Sequence, residues 1–258
     1  PNLTRSEVMA SMTGSMACLS AGIIAVYAGF GIPPQYMLAA CIMAAPGALA
    51  VSKIVYPETL EPQTKNDFKI RKRRTDVNVL DAISKGATEG MKVGINVIAI
   101  LIALIALIAM LDFFLAKFGL FAHNVLHLNL SFIGLDVEHL SIRMIFGKIF
   151  SVFAFLIGIP INEISTVGSF LGTKFVLNEA LAFTDLVAIR DTLSEKSFII
   201  TTFALSGFAN LSSVAVQISG IGEISPNQRK NLARVGIKAL IAGTITSYIS
   251  ACMAAMLL

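Results

Sequence analysis

The sequence predicts an all-α polytopic membrane protein with a re-entrant helical hairpin and discontinuous transmembrane helices, and three observations carry that reading. Of 258 residues, 55% are hydrophobic and 14% charged, with a mean hydropathy of +0.78, whereas a soluble chain needs about a quarter of its residues charged. That deficit excludes a soluble enzyme and a disordered chain alike. The apolar residues gather into runs long enough, at about 1.5 Å per residue, to cross a hydrocarbon core of about 30 Å. Two of these runs are interrupted by small and polar residues. The net charge of +4 falls in the connecting segments, where it marks membrane topology rather than nucleic acid binding.

Taken in order, Met9 to Ala28 and Gln35 to Val55 are long enough to span. Their Thr13, Ser15, Ser20, Gly22 and Ala45-Pro46 suit helices buried among other helices. Gly31-Ile32-Pro33-Pro34 turns between them. A polar linker from Leu60 to Asp76 holds Lys65, Lys69, Arg71, Lys72, Arg73 and Arg74, which the positive-inside rule makes cytoplasmic and brings to lipid headgroups. Val93 to Leu111 then runs outward as an almost unbroken series of Ile, Leu, Ala and Val, and Gly119 to His139 is external. Ile145 to Ile159 is short, with Phe146, Ile149, Phe150 and Phe153 at helical spacing, and reads as interfacial or re-entrant. Asn162 to Ser194 carries two modest apolar stretches, Ile164 to Leu171 and Ala180 to Ile189, parted by Gly172-Thr173-Lys174 and Asn178-Glu179. Neither spans alone, so they form a hairpin that enters from outside and turns back. Phe198 to Ile218 crosses inward, Arg229, Lys230 and Arg234 mark a second cytoplasmic connection, and Leu232 to Leu258 returns outward.

The interruptions point to function. Ser206-Gly207-Phe208-Ala209-Asn210-Leu211-Ser212-Ser213 breaks the Phe198 to Ile218 run, and irregular backbone at membrane depth persists only where it lines a cavity or is buried in protein. Ala17-Cys18-Leu19-Ser20 aligns with Ala209-Asn210-Leu211-Ser212, in segments of opposite direction. Such an inverted repeat is a construction of secondary transporters, whose sites lie where discontinuous helices meet. Asn178-Glu179 supplies the leading acidic candidate, because a carboxylate at a buried hairpin tip is costly unless it meets a ligand or an ion; the competing reading has Glu179 facing water. Asn210, Ser212 and Ser213 offer an amide and hydroxyls to a polyhydroxylated ligand or to neighbouring helices. Phe208 suits stacking on an aromatic ligand or plain packing.

Other features are plainer. His123 and His127 have the spacing of a metal pair but no Cys or Glu at ligand spacing. Cys18, Cys41 and Cys252 lie in apolar stretches and read as packing residues. No HExxH, GxSxG or phosphate-cradling glycine loop is present, so no enzyme is expected. The opening Pro1-Asn2-Leu3-Thr4 carries no signal peptide and reads as part of a longer chain.

Gly207-Phe208-Ala209-Asn210-Leu211-Ser212-Ser213, Leu177-Asn178-Glu179 with Phe183, Ala45-Pro46 with Lys53 and Tyr56-Pro57-Glu58-Thr59, and Asn78 to Gly90 together resemble the concentrative nucleoside transporter family, as its C-terminal half. The resemblance implies a homotrimeric symporter of the cell inner membrane that imports nucleosides by alternating access, with sodium or a proton as coupling ion and no organic cofactor. In that frame residues 1–60 hold first-repeat transport helices, 61–92 a cytoplasmic linker and amphipathic start, and 93–118 a long scaffold helix. Residues 119–160 form the external loop and interfacial helix, 161–195 the re-entrant hairpin, and 196–258 the second-repeat broken helix and last transmembrane helix.

Residue by residue, the resemblance puts Glu179, Asn210 and Ser213 on ribose hydroxyls, Asn178 beside Glu179 in the same motif, Phe208 beside the nucleoside and Ile23 against the base. Cys18 and Leu19 fall at the sodium site. A thiol is a poor partner for a hard cation, which makes proton coupling an alternative. Ala180, Phe183 and Leu211 replace the family's usual Phe, Tyr and Phe. A first hairpin carrying a Gln-Thr-Glu group would precede Pro1. The alternative of another class is a non-transporting membrane scaffold or gate-like subunit.

Overall fold

Side-chain caps start most of the helices, and small residues set how closely they meet. The computed structural model describes residues 3–62, 77–126, 137 and 140–258. Lys65, Lys69, the Arg71 to Arg74 cluster, His127 and nearly all of the external stretch from 127 to 139 lie outside them. Among the described residues the regular elements are helices: α1 (Arg5–Ala17), α2 (Ala21–Gly29), α3 (Pro34–Val55), α4 (Val79–Leu126), α5 (Ile142–Leu156), α6 (Ile164–Val176), α7 (Glu179–Ala188), α8 (Glu195–Leu205), α9 (Leu211–Ile224) and α10 (Arg229–Leu257), with single 3-10 turns after α7 and α9.

Thr4, Ser20, Ser141, Asn178, Ser194 and Asn210 cap α1, α2, α5, α7, α8 and α9, each accepting a backbone N–H of the first turn. Each cap contributes about 1 kcal/mol by meeting a backbone donor that the helix leaves unpaired. Pro34 opens α3, where its missing N–H costs nothing, and Gly31 takes the positive φ of 98° that the preceding turn requires.

Helix α10 is the hub, with α1, α3, α8 and α9 all packed against it. Its Gly236, Ala239, Ala242, Gly243, Ser247, Ser250 and Ala251 are buried, and small side chains let backbones approach when lipid offers no hydrophobic drive. The start of α1 is tied to the end of α3. Ser6 Oγ donates to the Tyr56 carbonyl at 2.9 Å, Lys53 Nζ donates to Ser6 Oγ at 2.7 Å, and Thr4 Oγ1 donates to Glu58 at 2.7 Å. The Thr4 hydroxyl holds the half-buried Glu58 carboxyl below its ordinary value.

Four described segments are long and apolar enough to cross a membrane: Arg5–Gly29, Pro34–Val55, Val79–Val125 and Pro226–Leu257. Within the third, α4 reaches well beyond the predicted Val93 to Leu111 at both ends. Asn78 caps its start by accepting from Asp81 N–H at 2.8 Å, and the apolar sequence continues helical through residues 119–126 of the predicted external loop. Its side chains stay largely exposed, with α9 and α5 against it.

Chain segments α6 and α7 form a helical hairpin. Its two feet are pinned, since Ser194 donates to the Glu163 carboxylate from both N–H and Oγ at 2.9 Å. Gly172-Thr173-Lys174, expected to interrupt the first arm, continue α6 instead, and the tip is only Leu177-Asn178. The reason is packing. A Cβ on Gly168 would fall 2.7 Å from the Gly147 carbonyl, and one on Gly172 would fall 2.6 Å from Gly147 N. These glycines serve a close crossing of α5 and α6 rather than a turn. Thr173 Oγ1 bonds back to the Ser169 carbonyl at 2.9 Å, so its hydroxyl needs no solvent.

Replacing Gly172 with Val is expected to force α5 and α6 apart at a cost of about 1–3 kcal/mol or more. The loss would appear as a lowered unfolding temperature and reduced folded yield of the full-length parent in detergent; wild-type stability would contradict the crossing described here.

Candidate functional site

Two helices are broken, and their breaks meet. Between α1 and α2 the chain leaves helix at Cys18 (φ −119°, ψ 153°) and resumes under the Ser20 cap. Between α8 and α9 it leaves helix at Ser206 and resumes under Asn210. Gly207 touches both partners of the crossing: a Cβ there would lie 2.5 Å from Ser247 Oγ and 3.1 Å from the Ala17 carbonyl. Gly243 of α10 gives the same room to Met16 and Ala209. The two caps are Ser20 and Asn210, two positions off the register in which Ser20 aligns with Ser212. Residue likeness pairs Ser20 with Ser212, whereas the residues that restart the two helices are Ser20 and Asn210.

Glu179 is the first residue of α7, 3% exposed, where the positive end of the helix favours a carboxylate. Asn210 Nδ2 donates to it at 2.9 Å and Tyr27 Oη, from α2, at 3.0 Å. The Asn210 amide oxygen accepts from Ser213 N–H at 2.7 Å, Ser213 Oγ at 2.8 Å and Ser212 Oγ at 2.5 Å. One amide thus closes the restart of α9 with its oxygen and holds the carboxylate with its nitrogen. Both groups are buried, and Ser213 with them.

Glu179, Asn210 and Ser213 therefore stand together, as the sequence expects. Phe208 is half-buried in the same break. Ile23 is exposed, four residues before Tyr27 and so on its face of α2. Asn178 spends its side-chain oxygen on capping α7, accepting from Leu181 N–H at 3.0 Å. With Leu177, Leu211 and Ser212 it also lines a cavity of about 110 Å³ against Leu104 and Ile108 of α4.

At the other break, the Cys18 thiol points to the Cys41 carbonyl at 3.6 Å and Leu19 N–H donates to Cys41 Sγ at 3.2 Å. Two soft sulfurs thus meet at this break, and a thiol is a poor partner for a hard cation. His123 sits in the last turn of α4. Among the described residues, no three His, Cys, Asp or Glu side chains converge as a metal cluster.

Two buried residues around the site, Tyr27 of the network and Lys174 of the hairpin, escaped the sequence reading. Tyr27 is one of four tyrosines, and its signal was a phenol inside an apolar span, which needs a buried acceptor. Lys174 was taken for part of a loop; the signal was a single cation between apolar residues.

A family model described as Na+ dependent nucleoside transporter C-terminus matches residues 36–255. The chain belongs to that family. It is 40% identical over 256 residues to an uncharacterized transporter, YutK, of Bacillus subtilis, covering 98% of this chain and 60% of that one. With the nucleoside permease NupC of Helicobacter pylori it shares 35% over 260 residues, 99% of this chain and 58% of that protein. With human sodium/nucleoside cotransporter 1 the figures are 33%, 99% and 40%. The chain therefore spans about three-fifths of the bacterial relatives. Among solved structures it resembles the transporter CNTnw in an inward-facing substrate-bound state, with a TM-score of 0.75 and 37% identity over 99% of this chain and 58% of that one. An outward-facing state of a CNTnw variant gives a TM-score of 0.76. These relatives are transporters, not enzymes.

The network predicts that Asn210→Ala costs more than Ser213→Ala. The first removes a cap and one of the two donors to a buried carboxylate, about 2–4 kcal/mol together, whereas the second removes one bond of about 1 kcal/mol. Thermal unfolding of the two full-length variants measures the difference; equal losses would contradict the dual role of the amide.

Proposed function

We propose that the full-length parent of this chain is a cation-coupled nucleoside symporter of the cell inner membrane, importing nucleosides by alternating access, with this chain as its C-terminal part. The observation that carries the reading is the buried Glu179–Asn210–Ser213 network at the helix break. A carboxylate accepts hydrogen bonds from hydroxyls, and the amide and serine groups can exchange their internal bonds for bonds to a ribose. Phe208 and Ile23 flank the space for a base, and Asn178 holds the hairpin tip in place. Family membership and the names of the relatives support the substrate class.

The hairpin α6–α7 is re-entrant in this reading, and the broken pairs α1–α2 and α8–α9 are the two halves of an inverted repeat. The tip meets α4 through an apolar cavity, the kind of contact across which a moving domain slides. Helix α4 is then the scaffold, and its exposed length serves homotrimer contacts and lipid. Sodium is the ion named for the mammalian relatives; here Cys18 and Leu19 stand at the candidate position, and the thiol makes a proton the alternative. Nucleosides are uncharged, so membrane potential drives them only through a co-bound cation. That contributes about 2.3 kcal/mol per 100 mV, or roughly fortyfold accumulation per charge.

Radiolabelled uridine uptake by the full-length parent in vesicles, with sodium and proton gradients imposed in turn, tests this reading. Uptake should follow one of the two gradients and vanish in Glu179→Gln while the variant still folds. Gradient-independent uptake, or near-normal transport by the variant, would refute it.

A further inference from the structure

Among the described residues Lys174 is the largest fully buried side chain, 1% exposed, in the last turn of α6 just before the hairpin tip. Its Nζ donates to the Ala204 carbonyl at 2.8 Å. That carbonyl lies in the final turn of α8, where the chain breaks and helix partners run out. The other carbonyls of that turn are met from within the break: Thr202 and Phe203 by Ser206 N–H at 3.0 and 3.2 Å, and Leu205 by Gly207 N–H at 2.7 Å. Ala204 is left for the lysine.

A buried ammonium needs an opposite charge as well as an acceptor. Helices α5, α7, α8 and α9 pack against α6, and Glu179, buried at the start of α7 just across the Leu177-Asn178 tip from Lys174, is the buried carboxylate among them. The others are engaged or distant. Arg143 of α5 pairs with Asp185 of α7, and Lys148 donates to Ser165. Glu195 and Lys196 stand in the first turn of α8, at the end opposite Ala204, and Glu223 lies beside Arg229 on the far part of α9. Tyr27 of α2 reaches the site only through the same carboxylate. The lysine thus meets a helix C-terminus, which carries partial negative charge, on the hairpin arm facing the one that begins with the site carboxylate.

We propose that Lys174 is the internal counter-ion of Glu179 and the tether that docks the hairpin on the broken end of α8. It is a positioning residue: it holds the carboxylate in place and electrically balanced before a ligand arrives. The proposal rests on the reading of Glu179 as the ligand-binding carboxylate, but its test needs no ligand. Thermal unfolding of the full-length parent in detergent is measured for the wild type, Lys174→Met, Glu179→Gln and the double variant. Each single change strands a buried charge and should lower the midpoint by several degrees. The double variant strands neither and should recover most of the Lys174→Met loss, a non-additivity that a lysine acting only through Ala204 would not produce. Additive losses overturn the proposal. Should Lys174→Met give no folded protein, recovery of folded protein in the double variant supports it and continued misfolding overturns it. Coupling in a protein that takes up no nucleoside would refute the transport reading and leave the counter-ion standing.

Discussion

A carboxylate with 3% exposure inside an apolar helical bundle is the constraint on which the site depends. Burying an ionised group unaided costs several kcal/mol, so the surrounding structure has to supply donors, a favourable dipole and an opposing charge. The donors come from α2 and α9, through Tyr27 and Asn210. The dipole comes from the start of α7, and the charge, in the counter-ion proposal, from the buried Lys174 in the other arm of the hairpin. Four separate helices must therefore be in register for Glu179 to be tolerated at all.

The broken helices follow from the same requirement. An unbroken helix turns its backbone groups inward on itself, whereas a break presents a capping side chain and a fresh helix start at the middle of the structure. Asn210 does both tasks, and Gly207 permits the break by bringing backbone against Ala17 and Ser247 where a side chain would collide. Helix α10 makes the crossing compact because most of its buried residues are Gly, Ala, Ser and Thr. The glycines of α5 and α6 do the same for the hairpin, fixing the arm that carries Lys174.

Much of this was legible in the sequence. The apolar runs, the break at Ser206 to Ser213 and the hairpin between Asn162 and Ser194 were visible as composition and interruption, and Glu179, Asn210 and Ser213 stood out as polar groups where polar groups are costly. What stayed hidden depends on partners distant in sequence. Gly172 reads as a turn until Gly147 is placed against it, and Lys174 reads as a loop residue until the Ala204 carbonyl meets it. Tyr27 joins the site from 152 residues away. The register between the two breaks also needed the fold, because capping is a matter of backbone geometry and residue likeness pointed two positions away.

The central claim is that this preassembled polar network receives ribose hydroxyls. Its most direct test is the affinity of the full-length parent for uridine against 2′,3′-dideoxyuridine, measured by titration calorimetry in detergent. A site built to hydrogen-bond hydroxyls leaves its own groups unpaired around the analogue, so the dideoxy compound should bind at least about tenfold more weakly. Equal affinities would contradict the account.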